Sequence, residues 1–259
     1  MPLPIEEMAA QVAELRQDID FVVLAGQLRP RLGGVVNWEA QADVVKLAQK
    51  FMNLKSNRQE GVLGPLLIRL LATFERYLRQ LVMQIITQRT SAANSYDSLA
   101  PSLANRNRVL TGRLLAALDS PRDHLKIDPD LLIQNLATCK PSSRSFRLNA
   151  EAFCAGIAGV SPANVEKALE NVEFSGLWDA VGAFPALARV LGTKGARATG
   201  NRASERLHEL SRWRNHLAHG GDGEIAISEM DLRDAVDFIE HFGNALDAAV
   251  RKHMKAGPN

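Results

Sequence analysis

The sequence predicts an all-α protein, and three observations support this fold class. Apolar side chains recur at spacings of three and four residues along most of the chain, which is the period of amphipathic helices. Sustained alternation of apolar and polar residues, which is typical of half-buried strands, is not found. Aromatic residues, which favour strands, make up only 5% of the chain.

The N-terminal part of the chain is predicted to contain two helices. The first covers about residues 5–25 and ends near a loop at residues 29–34, which holds one proline and two glycines. The second covers about residues 38–54. The polar stretch at residues 55–61 is then predicted to be a linker.

The strongest helical pattern lies at residues 64–89, with Pro65 in the first turn, where proline is tolerated. The apolar face of this segment is wide, and a helix with a wide apolar face belongs at the centre of a bundle. The positions on that face are Leu66, Leu67, Leu70, Leu71, Phe74, Tyr77, Leu78, Leu81, Val82 and Ile85.

The middle of the chain is more polar and is interrupted by several prolines, so short helices are expected there. Two are predicted at residues 98–118 and 129–138. Another begins with Ser161 as its N-cap and Pro162 in its first position. One more helix is predicted at residues 176–191.

The C-terminal part begins with a flexible basic loop, predicted at residues 192–202. A helix follows at about residues 203–218 and stops at the glycine pair 220–221. The final helix starts at Ser228 and runs to about residue 253. Asp231 stands three residues after Ser228, which is the spacing of a capping box.

The composition is that of a folded soluble protein, with 259 residues of which 46% are hydrophobic and 23% are charged. The net charge is only +2, so any nucleic-acid signal has to come from local clusters of basic residues. The cysteines, Cys139 and Cys154, lack zinc-ribbon spacing and are expected to be reduced and partly buried. The acidic N-terminus is unlike a signal peptide, and no apolar run reaches the length of a membrane span. We therefore expect a cytoplasmic protein that does not enter membranes.

The side chains best suited to chemistry lie at the end of the 203–218 helix. At about 100° per residue, His208, Arg212, Asn215 and His219 fall on one polar stripe that suits a phosphate. Leucines mark the opposite side, and Arg214 lies among them, roughly 140° from His219. Either the long arginine side chain bends round to the stripe, or the helix end is distorted, or Arg214 is structural.

Residues 214–220, R-N-H-L-A-H-G, resemble the signature of the HEPN (higher eukaryotes and prokaryotes nucleotide-binding) superfamily. There an arginine, usually followed by Asn, Asp or His, precedes a histidine near a helix end. Residues 70–78 also resemble the first long helix of a bacterial branch of that superfamily, the ribosomal-L-PSP-associated HEPN proteins. Residues 148–178 and the final helix are compatible in order and spacing. The resemblance covers about residues 60–250.

The fold that this resemblance implies is a HEPN-type helical bundle with additions. Residues 1–57 would form an N-terminal helical appendage, and residues 58–255 the HEPN-like domain. Residues 91–190 would be a helical insertion between its core helices.

The activity that the resemblance implies is that of a metal-independent endoribonuclease, a hydrolase that acts as a homodimer with a composite site. Arg214, Asn215 and His219 would be its catalytic residues, and neither a cofactor nor a metal is expected. A histidine can take up or give a proton near neutral pH, and a guanidinium can bind two phosphate oxygens. Attack by the ribose 2′-OH would leave 2′,3′-cyclic phosphate and 5′-OH ends.

Three further residues are expected to support the site, namely Glu75, Arg212 and His216. Glu75 lies at the edge of an apolar helix face, where a carboxylate needs a partner. That partner is either Arg214, which would then be fixed in place, or Arg79, four residues on along the same helix. The sequence leaves both interpretations open.

RNA binding is assigned to Lys194, Arg197, Arg202 and His208. Residues 189–214 contain seven Lys or Arg and only two acids, so a flexible basic segment there could steer an RNA backbone. An ordinary solvated loop is the alternative interpretation.

The partner implied by the resemblance is RNA, single-stranded or tRNA-like, and the setting is that of a toxin or effector in bacterial antiviral defence. A cognate antitoxin or a defence-system partner would fit that setting. The competing hypothesis is a non-catalytic HEPN-like module that binds nucleotide, RNA or protein.

Overall fold

The structure is a computed structural model, and it describes residues 3–35, 57–117, 127–219 and 227–256. Within these ranges the chain forms α-helices and one 3₁₀-helix, Tyr96–Ser98, without any strand, which confirms the predicted all-α class. The helices are α1 (Pro4–Val35), α2 (Asn57–Ala92), α3 (Pro101–Ala116), α4 (Pro129–Thr138), α5 (Ala150–Ala155), α6 (Pro162–Glu170), α7 (Leu177–Gly182), α8 (Pro185–Val190), α9 (Ala196–His219) and α10 (Glu229–Ala256).

The core is centred on α2 and α10, whose aromatic side chains meet. The ring centroids of Phe74 and Phe242 lie 5.5 Å apart, and Phe238 stacks on Phe242 at the same separation. The hydroxyl of the buried Tyr77 donates to the backbone carbonyl of Gly243 at 3.2 Å, so its polar group is satisfied. The wide apolar face predicted for α2 is buried, which confirms the central position of this helix.

Helix α1 packs antiparallel to α10. Arg16 forms an ion pair with Asp237 at 2.7 Å, and one turn later in α1, Asp20 pairs with Arg233 one turn earlier in α10. The apolar face of α1 therefore joins the same core as α2 and α10. Its buried residues are Met8, Val12, Leu15 and Ile19.

Helix α1 is longer than predicted. It runs to Val35 and continues through the loop expected at residues 29–34, so that expectation is wrong. The two glycines that suggested a loop occupy the last turn, where a helix ends and glycine costs little stability. The helix predicted at residues 38–54 lies outside the described residues.

Helix α2 also begins earlier than predicted. It starts at Asn57, so the linker expected at residues 55–61 is wrong from that residue onward, and Pro65 lies inside the helix. The arginine, glutamine and glutamate that follow Asn57 are good helix formers, and one proline removes only a single helical hydrogen bond.

The short helices of the middle region were largely predictable. Helix α3 lies within the predicted range 98–118, and α4 has the predicted bounds, 129–138. Ser161 caps α6 by accepting from the backbone N–H of Asn164 at 3.3 Å, with Pro162 in the first position, as predicted.

The single helix predicted at residues 176–191 is instead two helices, α7 and α8. Pro185 begins the second of them, and the residue before a proline is disfavoured in the helical region. Phe184 accordingly has an extended ψ of 117°. The break is therefore a local effect of Pro185.

The loop predicted at residues 192–202 is wrong from Ala196 onward, because α9 begins there. Thr199 is buried, and its hydroxyl lies 2.8 Å from the hydroxyl of Thr193. Packing against neighbouring helices thus orders a segment with weak local helix propensity. The glycine pair expected to end the helix, 220–221, lies outside the described residues.

Helix α10 begins with the predicted capping box. The backbone N–H of Asp231 donates to the Ser228 hydroxyl at 3.1 Å. In return, the backbone N–H of Ser228 donates to the Asp231 carboxylate at 3.1 Å. These reciprocal bonds satisfy two backbone donors and fix where the helix starts.

Candidate active site

The first half of α9 is held by close contact with α7. A Cβ atom on Gly200 of α9 would collide with the backbone carbonyl of Trp178. A Cβ atom on Gly182 of α7 would likewise collide with the backbone carbonyl of Ala196. Because glycine is required at both positions, the two helix backbones touch, and this contact sets the orientation of α9.

The second half of α9 carries the predicted polar stripe on its exposed side. His208, Arg212, Asn215 and His219 are all exposed, whereas the leucines predicted to face the core are buried or half-buried. The stripe therefore faces outward along about three turns of helix.

The end of α9 rests on α2. A Cβ atom on Gly64 would lie 3.1 Å from Cδ2 of Leu217, so the two helices approach closely there. His216 is half-buried, and His219 is the last residue of the helix. Cationic side chains in the last turn are favoured by the helix dipole.

Arg214 is half-buried, and it contacts Asn215 on the exposed stripe. Its Nη1 atom donates to the side-chain oxygen of Asn215 at 3.3 Å. The guanidinium therefore turns toward the stripe, which matches the first of the three interpretations of Arg214. Two of the three predicted catalytic residues are in contact, and His219 follows one turn later.

Glu75 does not bind Arg214. Its carboxylate accepts from Arg79 at 2.6 Å and from the backbone N–H of Gly159 at 3.1 Å. Glu75 also lies eleven residues beyond Gly64 on α2, which is about 16 Å along the helix axis from the end of α9. The interpretation that Glu75 fixes Arg214 is thus wrong, and the alternative pair within α2 is the one observed.

One cluster on α9 was missed by the sequence reasoning. The side chain of Arg206 is only 13% exposed, and its Nη1 donates to the Glu209 carboxylate at 2.6 Å. The Arg206 guanidinium carbon also lies 5.1 Å from the ring centroid of Trp213, which is a cation–π distance. Glu209 lies three residues after Arg206, and Trp213 lies four residues after Glu209. Side chains at these spacings are neighbours on a helix, so the sequence pattern could have revealed this cluster.

The residues assigned to RNA binding are spread along α9 and the loop before it. Lys194, Arg197, Arg202 and His208 are all exposed, and Arg202 pairs with Glu205 at 3.2 Å. Twenty-two residues separate Arg197 from the last residue of α9, which corresponds to about 33 Å of helix. Within one chain, Arg197 therefore lies far from the end of the motif at His219.

The described residues contain no group of three His, Cys, Asp or Glu side chains that could hold a metal ion. In the same part of the chain, no helix has the length and apolar character needed to cross a membrane. Cys139 and Cys154 are both buried, and neither is part of a disulfide.

Comparison with known proteins places the chain in a family. A model of the family RiboL-PSP-HEPN matches residues 42–252, which is most of the chain and includes α2, α9 and most of α10. No match was found among curated proteins or among solved structures. The match and the all-α bundle agree with the resemblance seen in the sequence. The chain therefore belongs to the RiboL-PSP-HEPN family.

Proposed function

We propose that this protein is a metal-independent endoribonuclease whose active site is built around Arg214, Asn215 and His219. HEPN domains are commonly ribonucleases. The observation that carries the proposal is the exposed stripe at the end of α9, where the Arg214 guanidinium contacts Asn215 at 3.3 Å and His219 lies one turn after Asn215. Those two groups suit proton transfer and phosphate binding.

The proposed reaction is a transesterification followed by release of the product. The ribose 2′-oxygen attacks the adjacent phosphorus while a base removes its proton, and the bond from phosphorus to the 5′-oxygen breaks as an acid protonates that oxygen. His219 is proposed as base or acid. Arg214 would stabilise the charge on the phosphate oxygens, with Asn215 orienting its guanidinium.

A homodimer is part of the proposal, because one copy of the motif offers one His219 whereas the reaction needs an acid and a base. Three large apolar side chains are exposed where α1 and α10 meet, and such a patch suits a subunit interface. Leu24 lies one turn after Asp20, and Met230 lies about one turn before the Asp20 partner Arg233. The exposed fractions are 73% for Met230, 63% for Phe21 and 54% for Leu24.

The decisive experiment is cleavage of a defined RNA in the presence of EDTA. His219→Ala and Arg214→Ala should each lower the rate about 100-fold or more, which is the size of losing general acid–base or electrostatic catalysis. His241→Ala, on α10, is the control and should cleave normally. Products should carry 2′,3′-cyclic phosphate and 5′-OH ends, and a 2′-O-methyl group at the cut should block cleavage. Cleavage of DNA, 5′-phosphate ends or a magnesium requirement would contradict the mechanism.

A second candidate function is a non-catalytic module that binds RNA or protein. Two features of Arg214 favour it: the side chain is half-buried, and its backbone position lies roughly 140° around the helix from that of His219. RNA binding without cleavage in the same assay would select this candidate. If the protein is an endoribonuclease, we propose that it acts in the cytoplasm as a toxin or effector in bacterial defence. Arrest of bacterial growth when the protein is expressed tests that role.

A further inference from the structure

A second concentration of basic side chains lies far from the motif, between α3 and α5. We propose that Arg108, Lys140, Arg144 and Arg147, named here the distal basic patch, bind the phosphate backbone of RNA. All four residues are exposed. This inference rests on the proposal that RNA is the substrate, and it deepens that proposal by specifying the class of RNA.

The charge of this region differs from that of the whole chain. No Asp or Glu occurs at residues 98–117 or at residues 138–150. The chain has 31 basic and 29 acidic residues, so the other 27 basic residues are outnumbered by the 29 acidic ones. One carboxylate lies beside the patch, that of Asp97, which accepts from the backbone N–H of Ser142 at 2.5 Å, and its single negative charge leaves the four cations in excess. Concentrated positive charge of this kind attracts a polyanion.

The patch is held together by an aromatic pair beneath it. The guanidinium carbon of Arg108 lies 5.6 Å from the ring centroid of Tyr96. Tyr96 meets Phe146 edge to face at 5.6 Å, and its backbone N–H donates to the carbonyl of Ser143 at 2.9 Å. The loop that carries Lys140, Arg144 and Arg147 is thus fixed against Arg108, so little ordering is needed on binding.

The patch and the motif lie at opposite ends of α2. The motif end is marked by Gly64, which contacts Leu217, and the patch end by Tyr96, four residues after α2 ends at Ala92. At about 1.5 Å per residue, the 28 residues from Gly64 to Ala92 span about 42 Å, so the two ends lie roughly 40 Å apart.

The distance between the motif and the distal basic patch indicates which class of RNA can contact both. A DNA duplex rises roughly 3.4 Å per base pair, and an A-form RNA duplex rises less, so roughly 40 Å corresponds to about twelve base pairs of RNA or more. A strand with only a few nucleotides on each side of the cut is too short to reach the patch, whereas a folded RNA with a stem of that length can contact both sites. The favoured substrate is therefore a structured, tRNA-like RNA with its cleavage site about one stem length from the phosphates held by the patch.

The test compares two RNAs with the same cleavage site, an eight-nucleotide strand and a hairpin with a stem of about twelve base pairs. The patch variant carries Lys140→Gln, Arg144→Gln and Arg147→Gln and leaves the Arg108–Tyr96 contact intact. The control variant removes the same charge at exposed positions elsewhere, with Arg76→Gln, Lys167→Gln and Lys252→Gln. Binding is measured by fluorescence anisotropy at several salt concentrations, and cleavage by gel.

The patch variant should bind the hairpin at least tenfold more weakly than wild type, and its salt slope should fall by about two to three because up to three phosphate contacts are lost. It should cut the short strand at the wild-type rate, and the control variant should bind the hairpin nearly normally. Equal weakening in both triple variants, or unchanged hairpin affinity in the patch variant, overturns the proposal. Patch-dependent binding without cleavage of either RNA would refute the nuclease proposal and leave this one standing.

Discussion

Glu75 and Arg79 form an ion pair within one helix, with 2.6 Å between Oε1 and Nη2, and both side chains also bind the segment that follows α5. Glu75 accepts from the Gly159 N–H, and Arg79 donates to the Ile157 carbonyl at 2.8 Å. Their side chains are only 19% and 23% exposed. The pair therefore ties the segment after α5 to α2, at a distance from the motif, and its role is structural.

Glu75→Gln should lower the free energy of unfolding by about 1–3 kcal/mol, because it leaves the Arg79 charge poorly compensated in a largely buried place. Arg79→Gln should cost a similar amount, and the double variant should cost less than the sum of the two. Urea unfolding followed by circular dichroism measures this. RNA cleavage by the folded variants should stay near the wild-type rate. A large loss of RNA cleavage in Glu75→Gln alone would instead support the interpretation that Glu75 positions Arg214.

Gly200→Ala should destabilise the protein by about 2 kcal/mol or more, since the added methyl group meets the backbone carbonyl of Trp178 rather than a movable side chain. Gly112→Ala is the matched control, because Gly112 lies in helix α3 with no atom near its missing Cβ. That substitution should be neutral or stabilising by up to about 1 kcal/mol. Thermal unfolding of the two variants checks the prediction, and equal effects would show that α9 does not need the close approach to α7.

Met230→Glu should weaken the proposed homodimer at least tenfold, because it places a carboxylate in an apolar patch that a partner would cover. Met83→Glu makes the same change on an exposed face of α2, well away from the motif end, and should leave the dimer intact. Sedimentation over a range of concentrations measures both. RNA cleavage by the Met230 variant should fall and should recover at higher protein concentration. A wild-type protein that stays monomeric would count against the composite site.

Native protein should react very slowly with thiol reagents at pH 8. Burial raises the pKa of Cys154 to about 12, and burial also raises the pKa of Cys139. A thiol with a pKa near 12 has a thiolate fraction of about one in ten thousand at pH 8. Labelling with an alkylating reagent is measured by mass spectrometry. The folded protein should be labelled very slowly, and both thiols should react once urea unfolds the chain. Fast labelling of the folded protein would contradict the burial of these residues.

Several features of the fold and of the site were predictable because they depend on residues that are close together in the sequence. The capping box of Ser228 and Asp231 and the cap at Ser161 follow from side chains that bond to backbone three residues away. The outward stripe from His208 to His219 follows from helical periodicity alone. The break before α8 was missed, although Pro185 imposes it on the preceding residue and is visible in the sequence.

The sequence by itself determined the fold class, the buried face of α2 and the side of α9 on which the motif lies, because helical periodicity and caps act over one or two turns. Only the tertiary structure decided where α9 begins and which arginine binds Glu75. The start of α9 depends on the backbone contact between Gly200 and Trp178. Glu75 pairs with Arg79 because its position on α2 lies far from Leu217 and the end of α9. Both depend on how distant helices cross, and no local pattern encodes the distance between side chains on different helices.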